Sequence, residues 1–251
     1  MNRIIHQELS SLEQRENIKI LLAVESGSRA WGFASPDSDY DVRFIYVRPT
    51  EYYLRLDQTR DVIELPISDL LDINGWDLKK ALTLLHSSNP TLYEWFSSPI
   101  VYRTPSFRQD CTPLLRRCFS RKNCLHHYLN TAIRHDQAFL GGPHVRSKKY
   151  FYVLRPLLAC RWVLEKDTPP PVPFSKLCES QLCSEMKPYV DHLLDIKMNA
   201  PEISEIDRIE PVHDYIRMSI DEIRAAIKAL PAEEPLPWDE LNRFFLNELN
   251  L

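Results

Sequence analysis

The rhythm of apolar positions changes near residue 100. Before that point short apolar runs alternate with turn-forming residues; after it the spacing is helical almost throughout. Ile18–Val24 (Ile-Lys-Ile-Leu-Leu-Ala-Val) reads as a buried strand, and Asp41–Val47 (Asp-Val-Arg-Phe-Ile-Tyr-Val), β-branched and aromatic, as another. The predicted strands span about 18–25 and 40–48, with shorter runs near 61–66 and 70–73 completing a sheet. Residues 3–16 predict a polar-faced helix. Trp76, Leu78, Ala81, Leu82 and Leu85 have helical spacing and predict a helix over 76–86, which Asn89-Pro90 ends in a turn. Tyr93 and Trp95 read as core. Pro99 and Pro105 bracket a boundary, beyond which helices are predicted at about 107–118, 120–140, 146–166, 184–198, 205–229 and 236–249. Thr168–Pro173 is a stiff connector, because proline fixes φ and cannot continue a helix. The expected class is α+β: a mixed sheet with flanking helices over 1–103, then an all-helical half over 104–251.

The stretch with chemistry is Val24–Ile45. Gly27-Ser28 follows the first strand, and Asp39-Tyr40-Asp41 opens the second. Gly27 permits a tight turn with positive φ. Backbone N–H groups in such a turn bind anions, Ser28 adds a hydroxyl, and Arg29 adds a charge within reach of a phosphate. Side chains alternate along a strand, so Asp39 and Asp41 are expected on one face. Two carboxylates there repel unless a cation lies between them. Their hard oxygens suit Mg²⁺, which takes one or two carboxylates together with substrate phosphates.

Composition narrows the picture slightly. A net charge of −4 gives no global attraction to nucleic acid, so any such contact needs a local patch. Arg116, Arg117, Arg121 and Lys122 form one basic cluster, read as surface charge. No apolar stretch is long enough to span a membrane. The N-terminus lacks the uninterrupted apolar core of a signal peptide. The six scattered cysteines include no Cys-x-x-Cys pair, which fits reduced thiols and a cytoplasmic location. Cys124, His126 and His127 lie close in sequence but within a helical run, where packing explains them better than zinc.

Gly27-Ser28, a spacer, then Asp39-Tyr40-Asp41 with apolar residues beyond resembles the DNA polymerase β nucleotidyltransferase superfamily. The fuller wording, Gly-Ser-Arg-Ala-Trp-Gly-Phe followed by Ser-Asp-Tyr-Asp-Val-Arg-Phe, resembles the RNA-repair-pathway polymerase β family of predicted nucleotidyltransferases. Three later segments fit the same branch: Leu71–Lys80, Ser88–Trp95 and Lys148–Leu158. The resemblance covers roughly residues 15–165 and implies a small mixed sheet flanked by helices, so that the 1–103 half is read as the nucleotidyltransferase domain and the 104–251 half as a helical substrate-binding domain. It implies metal ligation by Asp39 and Asp41, triphosphate contact by Gly27 and Ser28, and a third carboxylate on a neighbouring strand. Asp72 is the choice for that third position because Leu71-Asp72-Ile73 has the required apolar-acid-apolar form. Asp61 and Glu64 are rivals on another strand-like run, and Asp77, read as lying in the first turn of a helix, is a weaker one.

Lys148, Tyr152 and Arg155 fall at i, i+4 and i+7 of one predicted helix, with Lys149 and Arg146 adding charge near its start. Pro156 should bend it. Lys148 or Lys149 would neutralise a leaving pyrophosphate, and Tyr152 would stack on a base or sugar. The plainer alternative is a solvated basic face opposite the apolar stripe Phe151, Leu154 and Leu158. The expected activity is a template-independent nucleotidyltransferase moving an NMP from an NTP to an acceptor hydroxyl, with Mg²⁺ or Mn²⁺ as cofactor. The acceptor stays open among RNA, a small molecule and a protein hydroxyl. The alternatives are a catalytically inactive nucleotide-binding regulator and an interaction protein that works through its helical half.

Overall fold

The computed structural model describes all residues except 67–69, 104–105, 200–204, 235 and 251. Contacts group the chain into two compact units. One holds Met1–Ala30, Asp39–Phe119 and Pro235–Leu251; the other holds Trp31–Ser38 and Ser120–Glu234. This grouping differs from a single cut after residue 103.

The first unit opens with α1 (Asn2–Glu16), which buries Ile5, Leu9 and Leu12 along one face. It stops at Asn17, whose left-handed φ of 49° returns an N–H to the Glu13 carbonyl. β1 (Lys19–Glu25) follows, then a helical turn α2 (Gly27–Trp31), β2 (Tyr40–Val47), α3 (Thr50–Tyr53), β3 (Val62–Glu64) and β4 (Leu71–Asp77). α4 (Leu78–His86), α5 (Pro90–Ser97), β5 (Val101–Arg103), α6 (Phe107–Asp110) and α7 (Thr112–Cys118) come next. A C-terminal helix, Trp238–Glu248, completes the unit. The sheet order is β3-β4-β2-β1-β5. β2 and β4 run parallel and the other neighbours antiparallel, so the sheet is mixed.

β1 is buried from Ile20 to Glu25 because both sheet faces are covered. Leu22, Val24, Ile45 and Val47 join the cluster of Leu78, Leu82, Leu85 and Trp95. Ile20, Ala23, Val42 and Phe44 join that of Ile5, Leu9 and Leu12. β2 feeds the two cores by alternation, and β1 feeds both with its register shifted between Ile20 and Leu22.

β4 extends four residues past the predicted end at 73, and the helix expected from Trp76 begins at Leu78. Asn74, Gly75 and Trp76 pair with Arg43, Phe44 and Ile45. Gly75 is required there, since a Cβ on it would lie 2.2 Å from the Phe44 ring. Trp76 lies against Trp95 with ring centroids 4.2 Å apart. Asp77 caps α4 by accepting the Lys79 N–H at 2.8 Å. Asn89-Pro90 starts a helix instead of forming only a turn: Asn89 accepts the Thr91 N–H at 3.0 Å, and Pro90 sits where no N–H is needed. The single helix expected over 107–118 is two, divided at Cys111.

The second unit holds α8 (Arg121–Phe139), α9 (Ser147–Lys166), α10 (Phe174–Gln181), α11 (Lys187–Asn199) and α12 (Glu210–Ala229). It is not wholly helical, because β6 (His144–Arg146) pairs antiparallel with β7 (Glu205–Asp207). The 31–38 segment is built into this unit. Phe33 packs on Phe151 and Phe174, at 4.8 and 5.5 Å between ring centroids. The buried Lys197 donates to the Ser35 hydroxyl at 2.8 Å. Arg155 is buried too, with its guanidinium 4.6 Å from the Trp31 ring centroid and a bond to the Val172 carbonyl at 3.4 Å. It therefore does not belong to a solvated face with Lys148 and Tyr152. No helix among the described residues is long and apolar enough to cross a membrane.

Candidate functional site

The site is assembled where β1 ends and β2 and β4 begin. The chain leaves β1 at Glu25 and turns through Ser26, whose N–H donates to the Asp41 carbonyl at 2.8 Å. Gly27 follows with φ +58°, as the turn requires. A Cβ on Gly27 would stand 2.0 Å from Asp41 Oδ2, so the glycine also lets this carboxylate approach the backbone. Ser28 and Arg29 continue into α2.

Asp41 on β2 and Asp72 on β4 are direct partners in the parallel register. Arg43, two residues beyond Asp41 on the same strand, places one guanidinium nitrogen between the two carboxylates. That nitrogen donates to Asp41 Oδ1 at 2.9 Å and to Asp72 Oδ2 at 2.7 Å. The other terminal nitrogen donates to the carbonyls of Val42 and Asp72, each at 3.1 Å. The side chains of Asp41 and Asp72 are each 28% exposed and that of Arg43 19%, so solvent reaches the pair.

Beneath Asp41 lies Glu25, only 1% exposed. Its Oε1 accepts the Asp41 N–H at 2.7 Å, its other oxygen accepts the Tyr102 hydroxyl, and its carbonyl accepts Ser98 Oγ at 2.6 Å. Burial, helped by the nearby Asp41 charge, pushes the Glu25 carboxyl above the ordinary carboxylate range, against the lowering effect of the bonds from Tyr102 and the Asp41 N–H. In the folded chain Glu25 therefore holds its proton to higher pH than in the unfolded chain. Its contribution to stability is full below the unfolded value of 4.5 and is lost as pH rises through the folded value. Glu25→Gln removes that ionisation. Its melting temperature relative to the native protein should climb as pH is raised from 4.5 toward neutrality. A pH-independent offset between the two melting curves would contradict this account.

The remaining candidates fall in different places. Asp39 is exposed, one residue before β2, and its carbonyl accepts Arg29 Nε at 3.0 Å. Alternation along β2 therefore cannot fix its direction. The Arg29 guanidinium stacks over Tyr40 at 3.7 Å. Asp61 is exposed and paired with Lys80 at 3.1 Å; Glu64, also exposed, accepts from Asn74 at 3.0 Å. Asp77 is at the far end of β4 from Asp72, buried and bonded to the Tyr53 hydroxyl at 2.9 Å. Lys148, Lys149 and Tyr152 stand on α9 in the second unit. There Lys149 lies 3.7 Å from the Phe139 ring centroid, and Tyr152 faces Trp31 and His135. Sequence reasoning missed Arg43, Glu25 and Tyr102. Arg43 was within reach of it, since period two puts residues 41 and 43 on one face.

The carboxylates of Asp41 and Asp72 already converge on one cation, and hard oxygens in such a pair fit a divalent metal of the Mg²⁺ type. Among the described residues, no group of three or more His, Cys, Asp or Glu side chains is placed to hold a metal. The protein would therefore supply the pair, with other ligands coming from water and phosphate.

A mixed sheet with a carboxylate pair beside a glycine turn is in keeping with the nucleotidyltransferase-like class to which the chain's family points. The chain belongs to the RNA repair pathway DNA polymerase beta family, RlaP, whose sequence profile matches residues 1–247. It is 46% identical over 249 residues to the uncharacterised protein YcgL of Bacillus subtilis (strain 168), covering 98% of this chain and 96% of that one. A solved nucleotidyltransferase-like protein from Exiguobacterium sibiricum 255-15 is 13% identical, over 90% of this chain and 75% of the other. Its TM-score of 0.31 is too low to bear on the fold.

Proposed function

We propose that the protein is a metal-dependent, template-independent nucleotidyltransferase that moves an NMP from an NTP to an acceptor hydroxyl and releases pyrophosphate. The observation that carries this reading is the in-register Asp41–Asp72 pair lying beside the Gly27 turn. Asp41 and Asp72 would hold Mg²⁺ or Mn²⁺, with Asp39 joining them only once its exposed side chain turns toward the pair, and a bound metal supplies charge neutralisation at the transferring phosphoryl group. Backbone N–H groups at Gly27 and Ser28, with the Arg29 guanidinium, would seat the triphosphate. Asp72 would orient the acceptor hydroxyl and take its proton. Glu25 would hold Asp41 in place through the strand backbone. Little covalent help from the protein is needed, because positioning and charge do most of the work in phosphoryl transfer.

The test is transfer of label from each of the four α-labelled NTPs, with Mg²⁺ or Mn²⁺, into RNA, protein and small-molecule fractions of a cell extract. An Asp39→Ala/Asp41→Ala double variant runs beside the native chain. Label incorporated by the native protein alone supports transfer and identifies the acceptor class. One observation favours a second reading, a nucleotide-binding regulator without turnover: Arg43 already bridges the carboxylate pair and offsets one of its two charges. Mg²⁺-dependent NTP binding with no labelled product would support that reading and overturn the first.

A further inference from the structure

We infer that Arg43 is an internal counter-cation which a divalent metal must displace before it can use Asp41 and Asp72, so that this one residue sets the metal requirement of the site. The inference rests on the function proposed above for the same pair. Arg43 projects from β2 between strands in fixed register, so its position follows from the sheet. A single nitrogen bonds both carboxylates at 2.9 and 2.7 Å, which is the position a bridging cation needs. The second nitrogen, on two backbone carbonyls at 3.1 Å, holds the guanidinium there.

An arginine cannot vacate this place by losing a proton, because its guanidinium stays charged at any working pH. It can leave only by moving. A divalent ion therefore competes with a tethered monovalent one. While Arg43 is seated, the three side chains carry a net charge of −1 rather than the −2 of the bare carboxylates. Metal binding at this pair should be weak for the protein alone. It should strengthen when a triphosphate brings further negative oxygens, so that metal and nucleotide enter together.

The experiment is Mn²⁺ binding to the full chain without nucleotide, followed by electron paramagnetic resonance and calorimetry. Arg43→Gln should bind Mn²⁺ about tenfold or more tightly than the native protein, since one opposing charge is gone. Arg43→Lys keeps a charge but cannot span the same four acceptors, and should fall between them. The Arg43→Gln/Asp41→Asn/Asp72→Asn variant should lose the gain. A merely structural role would leave Mn²⁺ affinity unchanged or lowered in Arg43→Gln, and either result overturns the inference. So does absence of Mn²⁺ binding to both native and Arg43→Gln chains. The native protein gives an independent readout should Arg43→Gln misfold. Mg²⁺ titration should shift the ¹⁵N guanidinium signal of Arg43 and speed its rotation. Mg²⁺ binding that leaves this signal untouched refutes displacement. Label transfer detected alongside unchanged Mn²⁺ affinity would sink this inference alone, while tighter Mn²⁺ binding without label transfer would sink only the proposed activity.

Discussion

Asp41→Ala should lower nucleotidyl transfer by about three orders of magnitude, equivalent to about 4 kcal/mol of lost transition-state stabilisation, with the fold retained. The fold should survive because the side chain is partly exposed and Arg43 keeps its bonds to Asp72 and two carbonyls. Asp72→Ala should lose activity on the same scale. Asp61→Ala should not, because that carboxylate is exposed and engaged with Lys80. Single-turnover rates and circular dichroism on the three variants separate the cases. Near-native turnover in Asp41→Ala, or a loss in Asp61→Ala that exceeds the loss in Asp72→Ala, would overturn the assignment.

The largest effect on stability is expected at Phe44. Its ring is fully buried and covers Gly75 on the neighbouring strand, so closely that a Cβ there would meet ring carbons at 2.2 Å. Phe44→Ala should cost about 3–5 kcal/mol through lost burial and the cavity left behind. Gly75→Ala alone should cost about 1–3 kcal/mol by overpacking. The two should not add: with the ring removed, the new methyl finds space, and the double variant should be at least as stable as Phe44→Ala. Urea denaturation of the four proteins closes the cycle. Additive costs would mean that the ring and the glycine do not share this space.

Particular residues show what could be read in advance. β1 and β2 were legible as continuous apolar runs because each contributes to two cores, so nearly every position carries the signal. The Gly27 turn was legible because its φ and the close approach of Asp41 both demand glycine. Asn74-Gly75 looked like the end of a strand, yet β4 runs through it; the reason is a ring on the adjacent strand, which local sequence cannot report. Pro90 looked like a breaker because its role at a helix start depends on the Asn89 cap. β6 and β7 are three residues each and pair across a long sequence separation, with no periodicity to betray them. In the site, the turn and the carboxylate motif could be found by spacing. The Glu25–Tyr102 contact, between residues 77 apart, could not.

The segment Trp31–Ser38 gives the gene an unusual grammar. It lies between the Gly27 turn and Asp39 in sequence, yet belongs to the unit formed by 120–234. No truncation at one point separates the two units. A fragment ending at Phe119 would carry Phe33 without Phe151 and Phe174, and Ser35 without Lys197. A donor of a new helical half would have to supply eight residues inside the motif as well, so recombination at a single crossover delivers a mismatched chimera. An exchange of the helical half would therefore need a join at either end of both segments, with residues 31–38 replaced together with 120–234.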